Sequence, residues 1–131
     1  MTRPLISIVI PTLNEQAALG RLFKELDADG SASHEVIVSD GGSDDATEFV
    51  ARGAGAKVVT GPQGRGQQLA TGARVARGDV IWFLHADSRI TPGSLGEIRA
   101  AVDVDGACGG SFRPVFDGKE GFSRWLTECY A

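Results

Sequence analysis

Asp79-Val80-Ile81-Trp82-Phe83-Leu84-His85-Ala86-Asp87-Ser88 is the stretch whose reading decides the fold. Five consecutive apolar residues, Val80 to Leu84, have the length and composition of a strand buried on both faces, and they stop abruptly at an imidazole and a carboxylate. A run of this kind belongs to a parallel α/β sheet. In such sheets ligands bind outside the carboxyl ends of the strands, so the chemistry is expected at the junction after Leu84. Asp87 is a hard oxygen ligand suited to Mg²⁺ or Mn²⁺, ions that share their coordination sphere with substrate phosphates. On an extended segment His85 and Asp87, two residues apart, point the same way. A turn-capping aspartate beside a packed histidine is the plainer alternative.

Working outward, the same alternation of strand and helix recurs. Leu5 to Ile10 reads as a first buried strand stopped by Pro11, and Asn14 is suited to cap the helix that follows. Leu19, Leu22, Phe23 and Leu26 recur at the spacing of a helix laying one face on a sheet. A second strand, His34 to Ser39, ends at Asp40, ahead of Gly41 and Gly42, so that the Asp40 carboxylate stands where a crevice would open. Ser43 is expected to cap a short helix carried by Ala46, Phe49 and Val50, with Asp44 and Asp45 at the positive end of its dipole. Lys57 to Thr60 is a third strand. The glycine-rich turn Gly61 to Gln68 carries Arg65, a guanidinium able to clamp a diphosphate bidentately, and Leu69, Ala73 and Ala76 form the face of the next helix.

Beyond Asp87, Thr91-Pro92 opens a helix with Leu95, Ile98 and Val102 as its stripe, and Ala107 to Phe116 reads as another strand. Phe122, Trp125, Leu126 and Cys129 make an apolar stripe that needs cover, on this core or on a second copy in a homo-oligomer. The expected architecture is a three-layer α/β/α sandwich around a mainly parallel sheet, as one domain over residues 1–131.

Composition narrows the partners. The net charge of −4 over 131 residues gives no broad basic face for nucleic acid. Cys108 and Cys129 lack the spacing of a zinc or redox site and are expected to be buried reduced thiols. No apolar run approaches the roughly 20 residues that span a bilayer, so the expectation is a soluble, cytoplasmic chain with peripheral membrane contact left open. Neither the dinucleotide GxGxxG pattern nor the GK[ST] ending of a phosphate-binding loop is present.

Three motifs in order, Ser7-Ile8-Val9-Ile10-Pro11-Thr12-Leu13-Asn14-Glu15, Glu35-Val36-Ile37-Val38-Ser39-Asp40-Gly41-Gly42-Ser43-Asp44-Asp45, and the strand into His85-Ala86-Asp87, resemble family-2 glycosyltransferases of the GT-A fold over roughly residues 5 to 113. The His85-Ala86-Asp87 variant with the Gly64-Arg65-Gly66 turn looks most like a bacterial subgroup of small family-2 enzymes. The resemblance implies a nucleotide-diphosphate sugar donor, a divalent metal (Mg²⁺ or Mn²⁺) and transfer with inversion to an acceptor that the motifs do not identify. By position it implies that Pro11, Thr12 and Glu15 line the nucleotide pocket, that Asp40 bonds the base, and that Arg65 lies near base or diphosphate. His85 and Asp87 then stand at the first and last positions of the DxD motif, with Asp87 as the metal ligand. Histidine in place of the first aspartate removes one formal charge from that site.

An inverting transferase also needs a general base, which the family supplies from an acidic motif well beyond this segment. Asp117 and Glu120 come too early to match it, so no catalytic base is identified and the expectation is a donor-binding half without its acceptor half. A nucleotide-binding module without turnover is the second reading. A nucleotidyltransferase is the third, and the lack of a lysine-bearing glycine-rich loop near the N-terminus counts against it.

Overall fold

The computed structural model describes residues 6–30, 33–104 and 106–112. Four strands and four helices alternate along the chain: β1 (Ile6–Thr12), α1 (Gln16–Asp29), β2 (His34–Asp40), α2 (Thr47–Gly53), β3 (Lys57–Thr60), α3 (Arg65–Val75), β4 (Val80–Phe83) and α4 (Ser94–Asp103). The strands are all parallel and lie in the order β3-β2-β1-β4. The path therefore steps outward from β1 to β3 and then returns across β1 to add β4 on its other side. The chain falls into two compact units, residues 1–100 and 101–131, and the sheet belongs wholly to the first.

Side-chain alternation divides β1 between two layers. Ile6, Ile8 and Ile10 are fully buried in one core with Leu19, Leu22, Phe23 and Leu26 of α1, Ala51 of α2 and Leu95 of α4. The α1 stripe is as the sequence spacing predicts. Val9 points to the opposite face, where α3 lies so close that a Cβ on Gly72 would stand 2.4 Å from Val9 Cγ1. The result is the expected α/β/α sandwich.

The structure corrects several sequence expectations. Strand β1 runs through Pro11 to Thr12. Val9 C=O accepts the Leu84 N–H, so Pro11, two residues on, turns its nitrogen toward the same side, where β4 has already ended and no ladder bond is lost. Strand β4 is an edge in the described sheet and is not buried on both faces, since Ile81 is 38% and Phe83 49% exposed. On α2 the inward face is Thr47 and Ala51, leaving Phe49 at 80% exposure. On α3 the inward residues are Gln68 and Gly72, in place of Leu69, Ala73 and Ala76, because only a glycine lets the helix axis approach β1.

The remaining corrections concern caps and termini. Asn14 does not cap α1; it sits at φ 52°, where its Oδ1 accepts the Asp44 N–H at 2.7 Å and its own N–H donates to Ser43 Oγ at 2.8 Å. Ser43 is likewise no cap. It turns back on Asp40, and Asp45 Oδ1 instead accepts the N–H of Thr47, the first residue of α2. Helix α4 begins at Ser94 instead of Pro92 because Gly93, at φ 91°, breaks the helical path. Residues 107–112 are irregular, and Cys108 is an exposed free thiol. The rest of the expected last strand, Cys129 and the stripe through Phe122, Trp125 and Leu126 lie outside the described residues.

Candidate functional site

A parallel sheet that reverses its winding direction gathers loops into a crevice at the carboxyl ends of the two strands flanking the reversal. Here those strands are β1 and β4. A cleft of about 170 Å³ opens at this place, between the end of β1, the 63–65 segment and His85. Its walls include Pro11, Thr12, Glu15, Arg65 and His85, five of the residues singled out in the sequence. Its volume is below the ~300–1,000 Å³ of a typical ligand site. A larger depression of about 370 Å³, bordered by His34, Glu35 and Lys57, lies at the amino ends of β2 and β3, where the strand geometry gathers no such loops.

Each wall has a local cause. Thr12 is the last residue of β1, and its Oγ1 donates to Asp40 Oδ1 at 2.8 Å. Glu15 precedes α1; its N–H donates to Thr47 Oγ1 at 2.9 Å and its Oε1 accepts the Leu13 N–H at 3.3 Å. Arg65 is the first residue of α3, exposed, and no acidic residue occupies the first turn of that helix. The guanidinium and the positive end of the helix dipole therefore reinforce one another at the cleft, an arrangement suited to an anion. His85 follows β4 and is exposed.

Asp40 and Asp87 do not stand on this wall. Asp40 is 2% exposed, and its two oxygens accept four bonds: Oδ1 from Thr12 Oγ1 and Ser43 Oγ, Oδ2 from the Gly42 and Ser43 N–H groups at 3.1 and 2.8 Å. Burial pushes its pKa up, but the hydrogen bonds from the Ser43 hydroxyl and N–H, Thr12 and Gly42 outweigh that and hold it below the usual carboxylate value. A carboxylate has about four accepting positions, so this one is saturated from within.

Asp87 is exposed in a turn closed by the Ser88 N–H on His85 C=O at 3.0 Å, and its own carbonyl accepts Arg21 Nη2 at 3.3 Å. Strand β4 ends at Phe83 and a turn follows, yet exposure still alternates beyond it, with Leu84 and Ala86 buried and His85 and Asp87 exposed. Among the described residues no three His, Cys, Asp or Glu side chains gather as a metal site. One carboxylate with a neighbouring imidazole nevertheless fits a Mg²⁺ or Mn²⁺ ion that takes its other ligands from water and phosphate.

Gln68 was missed by the sequence reading. It is 6% exposed at the base of the cleft, a polar side chain on the buried face of α3. The Gly64-Arg65-Gly66-Gln67-Gln68 run offered no periodic signal that would separate it from Gln67.

The sequence profile described as Glycosyl transferase family 2 matches residues 7–128. This chain belongs to glycosyl transferase family 2. Among relatives of this family-2 chain, the glucosyl-3-phosphoglycerate synthase of Mycolicibacterium paratuberculosis is 36% identical over 93 residues, which are 63% of this chain and 28% of that protein. The crystal structure of glucosyl-3-phosphoglycerate synthase from Mycobacterium tuberculosis, in complex with Mn²⁺, uridine diphosphate and glucosyl-3-phosphoglycerate, is similar at a TM-score of 0.66 and 28% identity, covering 77% of this chain and 40% of that one. Mannosyl-3-phosphoglycerate synthase from Rubrobacter xylanophilus is similar at a TM-score of 0.68 and 26% identity, over 79% of this chain and 38% of that one. The family-2 chain thus spans well under half the length of these relatives, and its fold is the nucleotide-sugar transferase fold they share.

Proposed function

We propose that this chain binds the nucleotide part of a nucleoside-diphosphate sugar and serves glycosyl transfer with inversion at the anomeric carbon. The observation that carries the reading is the meeting of Pro11, Thr12, Glu15, Arg65 and His85 in one cleft at the winding reversal of a family-2 chain. In this reading Pro11, Thr12 and Glu15 flank the base and ribose, while Arg65 and the amino end of α3 face the diphosphate. His85 offers one hydrogen bond to ribose or phosphate. Asp40 holds Thr12 and the 41–43 turn in place; a direct bond to the base would require one of its four donors to leave. Asp87 is the residue that would hold a divalent ion, whose chemistry is to stabilise the negative charge gathering on the departing diphosphate.

A second reading, binding without turnover, draws on Glu15, the one carboxylate that the described residues bring to the cleft. One Glu15 oxygen already accepts the Leu13 N–H, and in this reading no proton passes to that carboxylate from an acceptor hydroxyl. Calorimetric titration with UDP, with and without Mn²⁺, tests the common part of both readings, and heat indistinguishable from dilution would sink both. Sugar transfer above background from UDP-glucose separates them in favour of the transferase.

A further inference from the structure

The side-chain amide of Gln68 joins three segments: the ends of β1 and β2 and the residue before α3. Its Nε2 donates to Thr12 C=O at 2.9 Å and to Ser39 C=O at 3.0 Å, and its Oε1 accepts the Gly64 N–H at 3.1 Å. Both amide hydrogens and one carbonyl position are therefore used, which fixes which end of the amide faces the strands. The fit is close on both sides. A Cβ on Gly41 would stand 3.0 Å from the amide, and four residues along α3 Gly72 presses on Val9 and Ser39. Gly72 sets how near α3 lies to the sheet; Gln68 sets where its first turn sits along the strand ends.

Arg65 is three residues before Gln68, one turn earlier on the helix, and Gly64 immediately precedes it. Gly64 is at φ 149°, a conformation open to glycine, and its N–H is held by the Gln68 carbonyl. We propose that Gln68 is a positioning residue for nucleotide binding: it locks the 64–65 segment against the ends of β1 and β2 so that the Arg65 guanidinium stays aimed into the cleft beside Thr12. This rests on the nucleotide reading above and adds to it the coupling between Gln68 and Arg65. Without the amide, α3 keeps its seat through Gly72, while Arg65 becomes one of many surface rotamers and must be ordered at the moment of binding.

The test is a double-mutant cycle on the full 131-residue chain, with UDP as the probe and Mn²⁺ present. Arg65→Ala is expected to weaken UDP binding about tenfold or more in the unchanged background, the scale of a lost charge-assisted bond. In a Gln68→Met background, which keeps the side-chain volume and loses the three bonds, the same Arg65→Ala change is expected to cost less than threefold. A merely structural Gln68 would give equal costs in both backgrounds, which overturns the proposal, as does an Arg65→Ala change without effect. If Gln68→Met melts too low to titrate, Gln68→Asn, too short to reach both strand carbonyls, carries the same cycle. UDP bound equally well by every variant overturns the roles of Gln68 and Arg65 and leaves nucleotide binding standing; no UDP binding by the unchanged chain overturns the nucleotide reading and both roles with it.

Discussion

Thr12 and Asp40 are register partners at the last rung of the β1–β2 ladder, and Thr12 Oγ1 donates to Asp40 Oδ1 at 2.8 Å. The cleft wall at Thr12 and the turn after β2 are thereby one hydrogen-bonded unit. Four donors converge on a carboxylate that solvent scarcely reaches, so its charge is held by geometry that only the folded chain provides.

Asp40→Asn replaces an acceptor by an amide nitrogen that faces at least one of those donors. The expected cost is about 2 kcal/mol or more, since a buried charge-assisted bond is lost and its donors are left unmatched. The sign of the pH effect follows from the lowered pKa. The stabilisation is complete above the ordinary carboxyl value of 3.8 and is lost as pH falls through the lower folded value. Urea midpoints at pH 7 and in a series below pH 4 check it: the gap between the unchanged chain and Asp40→Asn should narrow as the solution becomes more acidic.

Gly72→Ala would bring a methyl group to within 2.4 Å of Val9 Cγ1, on a strand residue with no exposure. Overpacking of this kind costs about 1–3 kcal/mol. Val9→Ala is expected to be destabilising alone and to recover part of the Gly72→Ala loss when the two are combined. Additive losses in the denaturation midpoint would contradict the close approach of α3 to β1.

Asn14 holds a left-handed backbone and the Asp44 N–H together. Asn14→Ala should cost about 2 kcal/mol, from the backbone and the bond combined. Asn14→Gly keeps the backbone and loses only the bond, so it is expected to be the milder change. Thermal melts of both variants give the order.

Asp87→Ala is predicted to abolish the gain in UDP affinity that Mn²⁺ confers, while leaving metal-free binding and the melting temperature close to the unchanged chain. The side chain is exposed, and such substitutions usually move stability by no more than about 0.5 kcal/mol. A preserved Mn²⁺ effect in calorimetry would remove Asp87 from the metal site.

Much of this molecule was legible in one dimension because it depends on local periodicity. Leu19, Leu22, Phe23 and Leu26 name the buried face of α1 by spacing alone, and the β-branched runs in β1 and β2 announce strands wherever they are placed. The motifs around Thr12, Arg65 and His85 likewise identified cleft residues, because loops after parallel strands converge by topology. The α3 face was misread for a reason outside that logic. Its buried residues, Gln68 and Gly72, are a polar side chain and no side chain, selected by how near β1 passes and by which carbonyls stand opposite.

Asp40 and Asp87 mark the same boundary. Sequence placed both at strand ends; Asp40 is the last residue of β2, whereas Asp87 stands in a turn four residues past the end of β4. Whether a carboxylate at a strand end meets a ligand or its own chain depends on which donors the fold carries up to it. Thr12 and Ser43 reach Asp40 across a ladder register and a turn, while the turn at residues 85–88 leaves Asp87 in solvent. Apolar spacing and strand order were properties of the chain; the partners of each polar atom were decided by distances of about 3 Å between segments far apart in sequence, which only packing sets.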